Sequence, residues 1–319
     1  MKIMSLTSDY VRIILSGIVF IFLYNFYSFM LRGIGNSLTP LILLGSSSVL
    51  NIILDIIFVA DLDMGVKGAA YATVIAQAVS GVGLCVYTLA KEPLLRQSFK
   101  RKSWKDCSFG EVVRMSTAAS VQQSVMNFGI LMIQGLVNSF GTTVMAAFTV
   151  AVKIDTVAYM PAQEFGNAFS LFISQNYGAK KYDRIKNCVK YSFGISAAFC
   201  VLISILVAIF SNNLMGLFIS DDKTEIIAVG SQYLVTEGSF YVGIGILFLL
   251  YGYYRGINRP EIALVLTVIS LGTRVALAYF LSGFEAIGVF GIWISIPIGW
   301  VLADVVGIMY MNKKGRVTN

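Results

Sequence analysis

The chain has 319 residues, of which 57% are hydrophobic and 13% are charged, whereas about 25% of the residues in an average soluble domain are charged. This composition excludes a soluble globular protein and predicts an all-α, polytopic membrane protein. The chain has no histidine, which excludes Ser-His-Asp triads and HExxH zinc sites. Its four cysteines show no CxxC spacing, so no metal-ligand cluster is indicated. We therefore expect that the protein is not an enzyme.

Nine apolar stretches are each long enough to cross a bilayer, which takes about 20 residues. They lie at 11–31, 40–60, 66–90, 112–138, 143–175, 187–210, 230–254, 261–282 and 286–311. The segments after the third, fifth, seventh and ninth stretches are basic, and the segments between those are acidic or nearly neutral. Because basic segments stay in the cytoplasm, we expect a cytoplasmic C-terminus. The formal charge of +7 is then a topology signal, and we expect no nucleic acid partner.

Two parts of the sequence, 10–77 and 233–300, repeat one another without a gap. The triplet Arg-Gly-Ile occurs at 32 and again at 255, and Gly-Val-x-Gly occurs at 65 and again at 288, so the offset is 255 − 32 = 223 in both cases. Shared motifs at unchanged spacing argue against a chance likeness of two apolar segments. Six predicted spans, an even number, separate the two starts, so we expect both copies to cross the membrane in the same direction. This is the parallel type of internal repeat.

The repeat also predicts how the chain is divided. Counterparts of the spans between 112 and 210 would lie before Met1, so we expect a six-plus-six design in which roughly the first three helices are absent. Residues 1–95 would then be a remnant of an N-terminal lobe with three helices. Residues 96–319 would form a C-terminal lobe with six helices, and the basic segment 91–105 would link the two.

Several motifs in this order resemble those of the multidrug and toxic compound extrusion (MATE) transporters. They are LRGIGNSLTP at 31–40, NIILD at 51–55, GVKGAAYAT at 65–73, the segment 160–179 with its QNYGA end, and YYRGINRP at 253–260. The resemblance covers essentially the whole chain, from the fourth helix of that family to the twelfth. In many members an aspartate of the first helix helps to couple ion flow, and this chain does not supply it.

What the resemblance implies is a secondary antiporter, with no cofactor, in the bacterial cytoplasmic membrane. It would export cationic or amphipathic drugs in exchange for Na+ or H+ by alternating access, in contact with membrane lipids and as a monomer when full length. Two alternatives stay open: a related lipid-linked oligosaccharide flippase, and a truncated fragment that does not transport. The flippase would need a more basic interior, and the spans hold few interior cations besides Lys153 and Arg274.

Carboxylates inside spans are the first candidates for functional residues, because burying a charge in hydrocarbon is expensive. They are Asp55, Asp155, Glu164 and Glu237. A carboxylate that faces a cavity can bind Na+, hold a proton or attract a cationic drug. Each also has a structural interpretation. Glu237 could be an interfacial charge and Glu164 a hydrogen bond at a bend, while Asp155 could be a packed polar group and Asp55 a brace at a helix end.

Uncharged polar residues and prolines give further candidates. Gln123 and Asn127 lie one turn apart on one face of the fourth span, and Asn167 follows Glu164 in the fifth. These amides suit an ion site or a wet cavity wall, and equally a contact between helices. Pro161 and Pro297 lie inside spans, where they could act as hinges or produce a fixed kink. Apart from Na+ at the carboxylates named above, we expect no metal.

Overall fold

The computed structural model describes residues 2–93, 96, 108–219 and 223–314. Most of the predicted basic linker 91–105, the acids Asp221 and Asp222, and the basic residue Arg316 lie outside these ranges. The described residues form helices and turns and contain no strand. The helices are α1 (Lys2–Ser16), α2 (Ile18–Gly33), α3 (Leu38–Asp55, continued by the π-helical turn Ile56–Asp61), α4 (Gly65–Lys91), α5 (Phe109–Asn138), α6 (Thr142–Gly178), α7 (Tyr182–Gly216), α8 (Thr224–Gly238), α9 (Tyr241–Gly256), α10 (Pro260–Ser282) and α11 (Phe290–Lys314).

These helices belong to two compact units, Met1–Cys107 and Ser108–Asn319. Unit 1 contains α1 to α4, in which α4 packs against α1, α2 and α3. Unit 2 contains α5 to α11, and its most extensive contacts are between α10 and α11 and between α6 and α9. The all-helical membrane architecture expected from composition is therefore confirmed.

The predicted spans are present as helices, but not all of them are continuous. Six helices in the described residues are long and apolar enough to cross a membrane: α3 with its π-helical turn, α4, α6, α7, α10 and α11. Two pairs, α1 with α2 and α8 with α9, are bent by 40° and 53° and could each form one broken span. The remaining prediction, 112–138, corresponds to the 30-residue helix α5. Its glutamines and charged residues leave it outside that set.

The predicted spans 11–31 and 230–254 are each formed by two helices with a bend between them. The first is interrupted at Gly17, where an added methyl group would lie only 2.7 Å from Oε1 of Gln77. The second is interrupted between Gly238 and Tyr241, and Phe240 has a non-helical φ of −114°. The two breaks lie at the same place in the two repeats, since 240 − 17 = 223. Hydropathy alone does not show such a break, because the flanking residues stay apolar.

The turns of the two repeats share their backbone geometry. Gly35 and Asn258, which correspond at the offset of 223, have φ values of 93° and 61°. Gly65 and Gly288 have φ values of 54° and 52°. Glycine and asparagine are the residues that adopt this left-handed conformation most readily. The repeated sequence motifs therefore mark repeated turns.

The same correspondence extends to helix packing. A methyl group on Gly68 would lie 3.0 Å from Cβ of Phe58, and one on Gly291 would lie 2.7 Å from Cβ of Leu281. Both pairs correspond at the offset of 223. Small residues allow helix backbones to approach closely, which is how helices associate in membranes. The sequence repeat is therefore also a repeat of three-dimensional contacts within each unit.

This close packing gives a test within unit 2. In Gly299→Ala the new methyl group would lie 2.4 Å from the Ser270 carbonyl oxygen, so we expect a loss of about 1–3 kcal/mol in the free energy of unfolding. Gly272→Ala is the matched control, because a methyl group there has no neighbour within 4 Å. Thermal unfolding of the two purified variants should show a lower midpoint for the first alone. Equal midpoints would contradict the packing described here.

Candidate functional site

Two carboxylates on different helices are buried together in unit 2. Asp155 of α6 is 3% exposed and Glu237 of α8 is 2% exposed. The Tyr241 hydroxyl at the start of α9 donates a hydrogen bond of 2.6 Å to Oδ1 of Asp155. Both carboxylates interact electrostatically with Arg274 of α10, and Asp155 also interacts with Glu237. We call these four residues, Asp155, Glu237, Tyr241 and Arg274, the acidic cluster.

Aromatic rings enclose one side of the acidic cluster. The rings of Phe148 and Trp293 are stacked with centroids 5.5 Å apart, and Tyr233 meets Trp293 edge-on at 5.0 Å. Tyr233 precedes Glu237 by one helical turn and interacts with its carboxylate. These rings are buried, so they keep water away from the carboxylates.

Some polar atoms in the acidic cluster and in the adjacent Trp293 ring have no hydrogen-bond partner. Among the described residues, Oε2 of Glu237, Nε of Arg274 and Nε1 of Trp293 are buried without a hydrogen-bond partner. Arg274 forms no direct ion pair with either carboxylate in the part of the chain that the structure describes. Buried polar atoms are normally paired. These unpaired atoms would therefore allow the acidic cluster to bind one more small polar species.

The formal charges define which species would fit. Two carboxylates and one guanidinium sum to one net negative charge when all three are ionised. An unbalanced buried charge is costly in an apolar surrounding. The uptake of one proton or one Na+ would neutralise the acidic cluster.

The uncharged candidates lie at a second place in unit 2, a cavity of about 250 Å³. Gln123, Gln163 and Asn167 line it together with Phe248, Tyr251 and Arg255. We call this space the arginine cavity. Asn127 is linked to the cavity wall, because its Oδ1 accepts a 3.2 Å hydrogen bond from Nε2 of Gln123. The predicted face of polar amides thus includes one wall of a cavity.

Glu164 and the two prolines lie apart from both places. The Glu164 side chain is exposed, and it neither lines the arginine cavity nor interacts with the acidic cluster. Pro161 and Pro297 lie inside the uninterrupted helices α6 and α11. Their role as hinges remains a prediction.

Asp55 is part of a smaller polar group in unit 1. Nδ2 of Asn51, Oδ1 of Asp55 and Oε1 of Gln77 are buried without a hydrogen-bond partner among the described residues. Asn51 and Asp55 are four residues apart on α3, so they lie on one face of the helix. The unpaired atom of Asn51 is a nitrogen donor, so on this face only the Asp55 carboxylate offers an unpaired oxygen to a cation.

Asp304 of α11 was not among the residues predicted from the sequence. It is buried, and its Oδ1 has no hydrogen-bond partner among the described residues. It could have been predicted, because it is a carboxylate inside the last apolar stretch of the sequence. It lies beyond the repeated part of the sequence, which ends at 300, so the repeat gives no signal for it. The roles of Tyr241 and Trp293 were missed for another reason, since an aromatic residue in a span is ordinarily a packing or interface residue.

This architecture defines a multi-pass helical membrane protein with ionisable groups buried among its helices. The MatE family model matches residues 1–57 and 118–280. The chain therefore belongs to the MatE family, whose members are multidrug efflux transporters and not enzymes. The resemblance found in the sequence motifs is confirmed.

Similar proteins agree with this assignment. A probable multidrug resistance protein of Bacillus subtilis is 30% identical over 308 residues, which cover 96% of this chain and 67% of the relative. The probable multidrug resistance protein NorM of Thermotoga maritima is 26% identical over 312 residues, which cover 96% and 65%. The chain thus spans about two thirds of the length of these relatives.

Solved structures show the same fold. A MOP superfamily transporter from Pyrococcus furiosus matches with a TM-score of 0.89 at 24% identity, over 97% of this chain and 70% of that one. A crystal structure of MATE in the bent conformation matches with a TM-score of 0.86 at 24% identity, over 97% and 69%. At this identity the likeness concerns the fold alone.

Proposed function

We propose that the protein works in a secondary antiporter that exports cationic or amphipathic compounds across the bacterial cytoplasmic membrane in exchange for Na+ or H+. The observation that carries this proposal is the acidic cluster, with its net negative charge and its unmet atoms on Glu237 and Arg274. The family membership supplies the general activity. The cluster supplies a place for the coupling ion.

The exchange follows from the charge of the cluster. When the cluster binds an inward-moving cation, its buried charge is neutralised and the conformation that packs it most tightly is favoured. When the cation leaves towards the cytoplasm, the charge returns and favours the other conformation. A ligand shifts such an equilibrium only through its different affinity for the two states. The ion and the exported compound would therefore compete for the outward-facing state.

The polar group on α3 supports a second ion position in unit 1. Oδ1 of Asp55 is buried without a hydrogen-bond partner among the described residues, and Asn51 lies one turn away on the same helix face. A buried carboxylate oxygen can hold a proton or bind a hard cation. The basic segments favour a cytoplasmic C-terminus, and an inward ion gradient would then drive export.

Inverted vesicles from cells that produce the protein test this function. With ethidium as substrate, we expect accumulation in the lumen when the lumen holds more Na+, or more protons, than the medium, because the cytoplasmic side faces outwards. A Na+ ionophore or a protonophore should release the ethidium. Vesicles from cells without the protein provide the control. Accumulation that ignores both gradients would contradict ion-coupled exchange.

A further inference from the structure

The arginine cavity contains one positive charge and no compensating acid. Arg255 lies near the end of α9 and is half-buried. Its Nε donates a 3.2 Å hydrogen bond to the Tyr251 carbonyl oxygen. It forms no ion pair with any carboxylate in the ranges that the structure describes, and none of the residues that line the cavity is acidic.

We propose that the arginine cavity binds an organic anion, an aromatic or apolar molecule that carries one carboxylate. The guanidinium of Arg255 would hold the carboxylate, because its planar fork matches the two carboxylate oxygens. A cationic compound would be repelled from the same place. The site is thus distinct from the acidic cluster and of opposite charge.

Neutral amides complete the polar part of the cavity. The side chains of Gln163 and Asn167 of α6 make no hydrogen bond to other described residues. Their NH₂ groups are therefore available to a ligand. Gln123 is held by its own hydrogen bond to Asn127. An amide NH₂ donates hydrogen bonds to a carboxylate without adding charge. Two free amides beside one guanidinium favour an anion over a neutral molecule of the same shape.

Aromatic rings supply the apolar part. Phe248 and Tyr251 of α9 are buried and line the cavity. Offset or edge-on contacts between rings favour a flat ligand. Since Gln123 and Asn167 are exposed, the cavity is open at the surface of the unit. A volume of about 250 Å³ holds a one- or two-ring molecule.

Binding of 1-naphthoate to the purified protein, measured by equilibrium dialysis, tests the proposal without any transport step. We expect 1-naphthoate to bind, and the uncharged 1-naphthamide and the cationic 1-naphthylmethylammonium to bind at least about tenfold more weakly. Arg255→Gln should weaken 1-naphthoate binding by about tenfold or more. Its matched control is Arg32→Gln, because Arg32 corresponds to Arg255 in the first repeat and does not line the cavity.

A second variant keeps the test decisive if Arg255→Gln does not fold. Gln163→Glu adds a carboxylate at a partly exposed position of the cavity wall, so it should weaken 1-naphthoate and strengthen 1-naphthylmethylammonium. Nanodiscs of neutral lipid and of lipid with an anionic headgroup distinguish a free anion from a lipid. Loss of 1-naphthoate binding in the anionic nanodiscs would show that a lipid phosphate occupies the site. Equal binding of naphthoate and naphthamide, or equal losses in the two arginine variants, would overturn the proposal.

Discussion

Replacing Arg274 by methionine is expected to lower the free energy of unfolding by about 1–3 kcal/mol. The substitution removes the cation that acts on both Asp155 and Glu237. The two carboxylates would then remain buried with no opposite charge near them, and the protein would have to protonate them or open the cluster. Thermal unfolding of the purified protein at neutral pH measures the effect.

Two further variants separate the loss of charge balance from the loss of packing. Arg274→Met combined with Glu237→Gln removes one charge of each sign and should recover most of the stability. Arg184→Met changes an exposed arginine near the start of α7 and should leave the unfolding midpoint within about 0.5 kcal/mol of the original. If the single and double variants at 274 unfolded alike, the electrostatic account of the cluster would be wrong.

The helices and the repeat could be predicted from the sequence because both depend on local signals. Long apolar runs identify spans, and the Arg-Gly-Ile and Gly-Val-x-Gly motifs mark the turns in which Gly35, Asn258, Gly65 and Gly288 take the left-handed conformation. The break at Gly17 could not be predicted in this way, since the residues on both sides of it stay apolar and the close approach of Gln77 from another helix is visible only in the structure. The break at Phe240 is equally invisible to hydropathy.

The residues of the candidate site could likewise be predicted only in part. A carboxylate in an apolar run is visible in any sequence, so Asp155 and Glu237 could be named, and Asp304 should have been. Their neighbours could not, because Tyr241 and Arg274 reach the carboxylates from other helices. The adjacent amides Gln122 and Gln123 show the limit most clearly. Both line the arginine cavity, but Gln122 is buried and donates a 2.9 Å hydrogen bond to Thr267 of another helix, whereas Gln123 is exposed and bonds within its own helix.

The internal repeat explains which features are architectural and which are particular to one of the two copies. Turns and close glycine contacts recur in both copies, so they serve the fold. Glu237 corresponds to Ile14 and Asp55 corresponds to Ala278, so these acids are not needed to form a helix triplet. A buried charge that the architecture does not require is a candidate for function. This asymmetry supports the proposal that Glu237 takes part in ion coupling.

Loss of ion-driven exchange in Glu237→Gln is the second large effect that we expect. The amide keeps the size of the side chain but removes the charge that neutralisation by a cation requires. With that charge gone, the acidic cluster holds Asp155 and Arg274 in formal balance and has no need of a further ion. We expect gradient-driven ethidium accumulation to fall by about tenfold or more.

Proteoliposomes that contain Glu237→Gln, together with Glu225→Gln as the control, provide the most direct measurement. Glu225 is an exposed residue in the first turn of the same helix, so its variant should retain exchange. Equal amounts of folded protein are verified by size-exclusion chromatography before reconstitution. We expect an imposed Na+ or proton gradient to drive ethidium accumulation in proteoliposomes that contain Glu225→Gln, and not in those that contain Glu237→Gln. Equal gradient-driven accumulation in both would contradict the role of the acidic cluster in coupling.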